Sequence, residues 1–91
     1  MQTYSNTYLS FKFPKFKIND HVINSDHLSS EEKILRRRNF SKLDDIQRQK
    51  ICRIVEIDNE NKSCELELIK DPKIRFYMDL SRLTLVEGME S

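Results

Sequence analysis

The residues best able to do chemistry in this chain are its bases, which concentrate before residue 54. Residues 1–53 contain eleven Lys and Arg against six Asp and Glu, a net charge of +5, and residues 54–91 contain five against nine, a net charge of −4. The bases in the middle of the chain are Lys33, Arg36, Arg37, Arg38, Lys42, Arg48, Lys50 and Arg53. Such side chains can neutralise phosphates or meet an acidic protein. They can also pair with the acidic half of the same chain, so the asymmetry leaves a binding surface and internal pairing both open.

A second group of bases lies among aromatic residues near the N-terminus. These neighbours are Phe11, Lys12, Phe13, Lys15, Phe16 and Lys17. Bases beside aromatic rings can hold phosphates while the rings stack on nucleobases. The isoelectric point near 7.8 is lower than that of strongly basic nucleic-acid-binding domains. The pattern favours RNA or DNA as the ligand, and a protein–protein adaptor or regulator is the alternative.

Residues suited to catalysis or metal binding are few and scattered. His21 and His27 are the only histidines, and Cys52 and Cys64 are the only cysteines. They form no Cys-x₂-Cys knuckle, and the chain has no glycine-rich phosphate loop. We therefore expect no enzyme, no metal, no cofactor and no small-molecule substrate. The two cysteines are expected to be reduced and to act as small buried apolar residues.

Four runs of alternating apolar and polar residues predict the strands that position these bases. The runs are 51–57, 63–69, 74–80 and 83–87, and a period of two is typical of half-buried strands. Residues 58–62 should form a hairpin turn in which Asn59 and Asn61 can take positive φ. A tight turn is expected at 71–73 and a single helical turn at 79–82.

The same alternation assigns side chains to faces of the strands. In the first run, Cys52 and Ile54 should share one face, and Ile51, Val55 and Ile57 the other. In the third run, the residues expected to face inward are Ile74, Phe76, Met78 and Leu80. Those expected to face outward are Arg75, Tyr77 and Asp79.

Before these runs, residues 16–23 suggest a first strand with a bend at Asn19 and Asp20, and residues 24–50 break the alternation. We call residues 24–50 the insert. Ser29, followed by Glu32, is typical of a capping box and predicts a helix over 30–39, with Glu32 and Arg36 as an ion pair one turn apart. In that helix Lys33, Arg36 and Arg37 would share a face, with Arg38 pointing away. A second helical turn is expected at 41–46. The apolar residues expected to pack the insert onto the strands are Leu28, Ile34, Leu35, Phe40, Leu43 and Ile46.

Three segments together carry a resemblance to a known fold. The stretch Phe16-Lys17-Ile18-Asn19-Asp20-His21-Val22 is followed by a hairpin and then by the closing stretch Asp79-Leu80-Ser81-Arg82-Leu83-Thr84-Leu85-Val86-Glu87. This order resembles the SH3-like small β-barrels of the KOW or Tudor-like kind, with Asn19 where glycine is usual. The resemblance implies a mainly β, five-stranded antiparallel barrel that carries the charged helical insert. It also implies a binding role, on nucleic acid or a larger protein assembly, of the sort found in small phage and bacterial proteins.

These features predict one SH3-like domain over residues 1–91, with a flexible tail at 1–10, the insert at 24–50, and the hairpin and closing strands at 51–87. The sequence has neither a membrane-spanning apolar run nor a signal peptide, so we expect no membrane partner and a cytoplasmic protein. The predicted role is non-catalytic binding through the insert. Reversing the charges of Arg36, Arg37 and Arg38 is then expected to abolish binding without unfolding the domain.

Overall fold

The computed structural model describes residues 15–89. The predictions about the tail at 1–10 and about Phe11, Lys12 and Phe13 lie outside these residues. The strands are β1 (His21–Asn24), β2 (Arg37–Asn39), β3 (Cys52–Asp58), β4 (Ser63–Leu68), β5 (Arg75–Asp79) and β6 (Leu83–Glu87). The helices are α1 (Ser30–Ile34) and α2 (Asp45–Arg48), with 3₁₀ turns at Ser25–His27, Phe40–Lys42 and Leu80–Arg82. The prediction of a mainly β chain with a helical insert is confirmed.

The six strands form one sheet in the order β2-β6-β1-β3-β4-β5. All neighbouring strands are antiparallel except β2 and β6, which are parallel. Within the described residues β2 and β5 have a strand on one side only, so the sheet is open at both edges. The expected five-stranded, wholly antiparallel barrel is therefore wrong in strand number and in one pairing, and the described strands do not close into a barrel.

The first strand is shorter than expected because the chain turns just before it. Asn19 has φ 78, a left-handed conformation that Asn adopts more easily than most residues. The Lys17 backbone N–H donates to Asp20 Oδ2 at 2.8 Å, and the Asp20 N–H donates to the Lys17 carbonyl at 3.1 Å. The predicted bend at Asn19 and Asp20 is confirmed, and regular pairing starts only at His21.

The β3–β4 hairpin follows the prediction apart from one bulge. The register shifts between Ile54 and Glu56, so Val55 is an extra residue in β3. After the bulge, the side chains of β3 alternate in the opposite sense. Ile57 therefore packs on the same core as Ile54, and not on the other face of the sheet as predicted. In the turn, Lys62 has the positive φ, 56, instead of the two asparagines.

The strand β5 and the turn after it also follow the pattern, with one exception. Phe76 and Met78 pack on the core, and Tyr77 is 75% exposed. Ile74, expected to face inward, precedes the strand and is 47% exposed. The predicted helical turn before the last strand is present as the 3₁₀ turn Leu80–Arg82.

Helix α1 starts as predicted and ends five residues early. The Glu32 N–H donates to Ser29 Oγ and the Ser29 N–H donates to Glu32 Oε1, which completes the capping box. The helix ends at Ile34. Arg36 has φ 60 and stops any continuation, and Arg37–Asn39 then pair with β6. The predicted helix over 30–39, and the shared helical face of Lys33, Arg36 and Arg37, are therefore wrong.

The second helical segment begins later than predicted, at a different cap. A 3₁₀ turn covers Phe40–Lys42, and α2 starts after Asp44 rather than Ser41. Asp44 and Gln47 form a second capping box, with Gln47 N–H donating to Asp44 Oδ1 at 2.7 Å. Gln47 Nε2 also donates to the His27 carbonyl at 3.1 Å, which ties α2 to the start of the insert.

Each face of the sheet has its own apolar core. The first core consists of the buried residues Val22, Cys52, Ile54, Cys64, Leu66 and Leu83, with Phe16 among those packed on it. The second consists of Ile23, Leu28, Leu43, Ile51 and Val86. Leu28 and Leu43 come from the insert, so the insert is a cover for the second face. Ser25 and Thr84 join it to the sheet through a buried hydroxyl–hydroxyl hydrogen bond of 2.8 Å.

Candidate binding surface

Arg36, Arg37 and Arg38, which we call the arginine strand, attach the insert to the sheet. Arg36 Nη1 donates to the Ser81 carbonyl at 2.6 Å and to Ser25 Oγ at 3.4 Å. The Arg36 carbonyl accepts from the Leu85 N–H at 2.9 Å. A charged donor on a carbonyl is among the stronger hydrogen bonds of a protein. Arg36 thus links the insert to both ends of the Ser81–Leu85 segment.

The other two residues of the arginine strand form ion pairs. Arg37 Nη1 lies 3.2 Å from Glu87 Oε2, and Arg38 Nη2 lies 3.1 Å from Glu32 Oε2. The pKa of Glu32 is lowered from 4.5, chiefly because the backbone N–H of Ser29 donates to its carboxylate, and Arg38 adds to this. Arg38 is therefore the partner of Glu32, in place of Arg36.

The last two arginines of the predicted site are also engaged. The Arg48 guanidinium carbon lies 4.4 Å from the centre of the Phe40 ring, a cation–π contact, and Arg48 Nη2 donates to the Ser41 carbonyl at 3.4 Å. Arg53 Nε donates to Glu67 Oε2 at 2.9 Å, and Arg53 also donates to the Asn19 side chain. All five predicted arginines thus have partners inside the protein. Arg37 and Arg53 pair with acids of the C-terminal half, which is the internal pairing that the charge asymmetry left open.

The lysines of the predicted site are different. Lys33, Lys42 and Lys50 form no ion pair with any acid in residues 15–89. Lys42 and Lys50 are exposed, and Lys33 is half-buried. The eight predicted residues therefore do not form one surface: the structure separates five engaged arginines from three unpaired lysines.

Two lysines that the sequence reasoning missed, Lys70 and Lys73, follow β4. Cys52 pairs with Leu68 and the Ile69 N–H donates to the Ile51 carbonyl at 3.1 Å. Lys50 and Lys70 adjoin this last contact, Lys50 in the turn before β3 and Lys70 in the bend after β4. Lys73 lies in the turn that follows Lys70. Lys42 precedes Leu43, which packs with Ile51 and Ile69 in the second core. Lys42, Lys50, Lys70 and Lys73 are all exposed, and we call them the lysine end. Extending the predicted hairpin by one residue at each end would have found Lys50 and Lys70.

The aromatic residues within residues 15–89 offer little for base stacking near these lysines. Phe16 packs on the first core, and Arg48 covers Phe40. Tyr77 is 75% exposed, but it lies opposite Glu65 on the acidic strands. Of the rings in the predicted group of bases and aromatic residues at 11–17, only Phe16 lies within the described residues, so that prediction stays open.

The opposite end of the hairpin carries the acids. A hollow of about 300 Å³ is lined by Glu56, Asp58, Glu65 and Tyr77, with Cys64 at its wall. Burial raises the pKa of Cys64, and that of Cys52, to about 11, so both thiols are protonated at neutral pH. Both cysteines are free and buried, which confirms the prediction of small apolar core residues.

Three further findings bear on function. Among residues 15–89 no three His, Cys, Asp or Glu side chains converge as metal ligands. In the same residues no helix has the length and apolar character needed to cross a bilayer. Comparison with known proteins found no matching family model, no similar curated protein and no similar solved structure.

Proposed function

We propose that this protein is a non-catalytic binding module that holds RNA or DNA by its phosphates, through the lysine end. The observation that carries the proposal is the separation of the two kinds of base. The arginines have partners in the fold, and the exposed lysines 42, 50, 70 and 73 have no carboxylate within ion-pair distance in residues 15–89. Unpaired cations on one end of a sheet are available to neutralise a polyanion.

We also propose that the sheet is of the SH3-like kind. The support is its strand order. The last strand, β6, lies beside β1, and β3, β4 and β5 are consecutive neighbours on the other side of β1. A 3₁₀ turn precedes β6. Fold likeness of this sort does not itself identify a ligand. The lysine end alone therefore supports nucleic acid as the ligand.

The chemistry of the lysine end indicates how it would bind. A lysine ammonium is a compact charge on a flexible stem, suited to phosphates but not to reading base edges in a fixed geometry. Binding would therefore be independent of sequence and strongly dependent on salt. In a plot of log affinity against log salt, four phosphate contacts give a slope of about −3 on a single strand and about −4 on duplex DNA.

Fluorescence anisotropy with labelled random RNA and duplex DNA, at about 50 and 200 mM salt, tests this proposal. The variant Lys50→Glu/Lys70→Glu should lose most of the affinity and flatten the salt dependence. The control Lys17→Glu/Lys62→Glu makes the same change of charge at exposed lysines outside the lysine end and should bind like the parent. Equal binding by the Lys50→Glu/Lys70→Glu variant and the parent would overturn the proposal.

One observation favours a protein ligand as the second candidate. Three apolar residues of the insert that were expected to pack on the sheet are exposed instead: Ile34 at 68%, Leu35 at 43% and Ile46 at 72%. Exposed apolar groups of this kind often meet a protein partner. A complex that is insensitive to salt, lost in Ile34→Ser/Ile46→Ser and kept in Lys50→Glu/Lys70→Glu, would establish this candidate over the first.

A further inference from the structure

The two edges of the sheet differ in length and in side chains. The edge strand β2 has three residues, two of which are arginines held in ion pairs. The edge strand β5 has five residues, Arg75-Phe76-Tyr77-Met78-Asp79, with charges only at its ends. Short, charged edges resist pairing with another chain, whereas a longer edge with an apolar centre is a template for it. Within residues 15–89, nothing pairs with the second side of β5.

The hydrogen bonds of β5 show which backbone groups face that side. The Leu68 N–H donates to the Ile74 carbonyl at 3.0 Å, and the Leu80 N–H donates to the Lys62 carbonyl at 2.8 Å. Both contacts lie in the register that joins Phe76 to Leu66. Hydrogen-bonded residues alternate along an antiparallel strand. The even-numbered residues of β5 therefore bond to β4, and the N–H and C=O groups of Arg75, Tyr77 and Asp79 point to the open side.

We propose that a second copy of this chain pairs with this edge, β5 against β5, about a two-fold axis at Tyr77. This register places Arg75 opposite Asp79 of the second copy, Tyr77 opposite its own equivalent, and Asp79 opposite Arg75. All three outward-facing residues then form hydrogen-bonded pairs. Moving the axis to Phe76 or Met78 would leave only two such pairs and would separate the opposite charges. Two-fold interfaces of this isologous kind are the commonest in homo-oligomers.

The side chains of β5 complement one another in the same register. Oppositely charged residues directly across an antiparallel pair attract. The Asp79 side chain makes no cap hydrogen bond to the 3₁₀ turn that it precedes, so its carboxylate is available to the second copy. Arg75 Nη2 lies 3.2 Å from Glu67 Oε1, and its side chain is 53% exposed, which leaves the rest of the guanidinium for a second carboxylate.

The other face of the paired strands would gain apolar contacts. Phe76 and Met78 are half-buried on the first core. In the proposed register Phe76 of one copy lies opposite Met78 of the other, a pair that favours a sulfur–aromatic contact. The dimer thus extends both the sheet and its first core across the axis. It does not depend on the lysine end, which would be present once in each copy.

The pairing of charges gives a sharp test by sedimentation velocity of the full chain, from micromolar to near-millimolar concentration. The parent should pass from monomer to dimer as concentration rises. In the Arg75→Asp variant, the new acid at position 75 of each copy lies opposite Asp79 of the other copy. In the Asp79→Arg variant, the new base at position 79 of each copy lies opposite Arg75 of the other copy. Each variant should weaken dimerisation about tenfold or more, since like charges directly opposite are destabilising. Lys17→Asp and Glu60→Arg make the same charge changes outside β5 and should dimerise like the parent.

Complementation separates this register from general charge effects. An equimolar mixture of the Arg75→Asp and Asp79→Arg variants restores an acid opposite a base at both positions, so the mixture should form a heterodimer. The double variant Arg75→Asp/Asp79→Arg should recover self-association. Circular dichroism of each variant confirms that it is folded. A parent that stays monomeric throughout would overturn the proposal, as would a mixture that fails to associate.

Discussion

The arginine strand and the lysine end carry the same sign of charge and serve different purposes. Arg36, Arg37 and Arg38 contact a carbonyl and two carboxylates inside the protein. The four ammonium groups of the lysine end form no ion pair with any acid among residues 15–89. The planar guanidinium has several donors in fixed directions and suits structural contacts, whereas the ammonium is a flexible, hydrated point charge. In a small protein, the partners of a basic side chain in the fold therefore indicate its role better than the density of bases in the sequence does.

Reversing the arginine strand tests this contrast with the largest effect. The variant Arg36→Glu/Arg37→Glu/Arg38→Glu leaves the Ser81 carbonyl without its donor and places new acids beside Glu87 and Glu32. We expect its free energy of unfolding in urea, followed by circular dichroism, to fall by about 3 kcal/mol or more. The structure thus changes the outcome expected from the sequence, in which this substitution left the fold intact.

The matched variant for comparison is Lys50→Glu/Lys70→Glu. Both lysines are exposed and unpaired in the described residues, so the same measurement should differ from the parent by no more than about 0.5 kcal/mol. Equal stability losses in the arginine and lysine variants would break the contrast between the two regions.

Removing the buried hydroxyl contact between insert and sheet should have an intermediate effect. Ser25→Ala deprives Thr84 Oγ1 of its partner inside the protein and removes an acceptor of Arg36. We expect a loss of about 1–2 kcal/mol in the free energy of unfolding.

Adding Thr84→Val to Ser25→Ala gives the control for this effect. The second substitution removes the orphaned hydroxyl while keeping the shape of the side chain, so part of the stability should return. If Thr84→Val lowers the free energy of unfolding again by as much as Ser25→Ala did, the lost hydroxyl–hydroxyl hydrogen bond does not explain the effect of Ser25→Ala.

The smallest expected effect is the pH dependence of the stability that Glu32 contributes. Because the pKa of Glu32 is lowered in the folded protein, its charge contributes stability above its ordinary pKa of 4.5, and this contribution disappears as pH falls through the lowered value. Glu32→Gln can keep the capping box but loses the pair with Arg38. The variant should be less stable than the parent by less than about 1 kcal/mol at neutral pH.

Urea unfolding at a series of pH values checks this prediction. The difference between the parent and Glu32→Gln should shrink steadily below pH 4.5 as Glu32 takes up a proton. A difference that is constant from neutral pH to acid would show that the charge of Glu32 does not support the arginine strand.

Much of the sheet was predictable because its strands carry their own pattern. Alternation located β3 to β6, and Ser29 with Glu32 located the start of α1. The sequence does not reveal the bulge at Val55, since an extra residue in one strand is set by its pairing with the next.

The candidate site was harder to predict than the sheet. Residues 36–39 have no alternation and follow a helical signal, so only the neighbouring β6 makes them a strand, a case of tertiary context overriding local preference. For the same reason the partners of the arginines could not be inferred. The lysine end was partly predictable, because Lys50 and Lys70 adjoin the two ends of the predicted hairpin.

The position of β6 has a consequence for how the chain reaches this fold. β3, β4 and β5 are joined by short turns, and such neighbours can pair early because little entropy is lost in closing short loops. β6 lies between β1 and β2, and its pairing of Val22 with Leu85 closes almost the whole described chain. Contacts so distant in sequence slow folding. The arginine strand, which pairs only with β6, is therefore expected to be ordered late, and until then its guanidinium groups are exposed to any polyanion in reach.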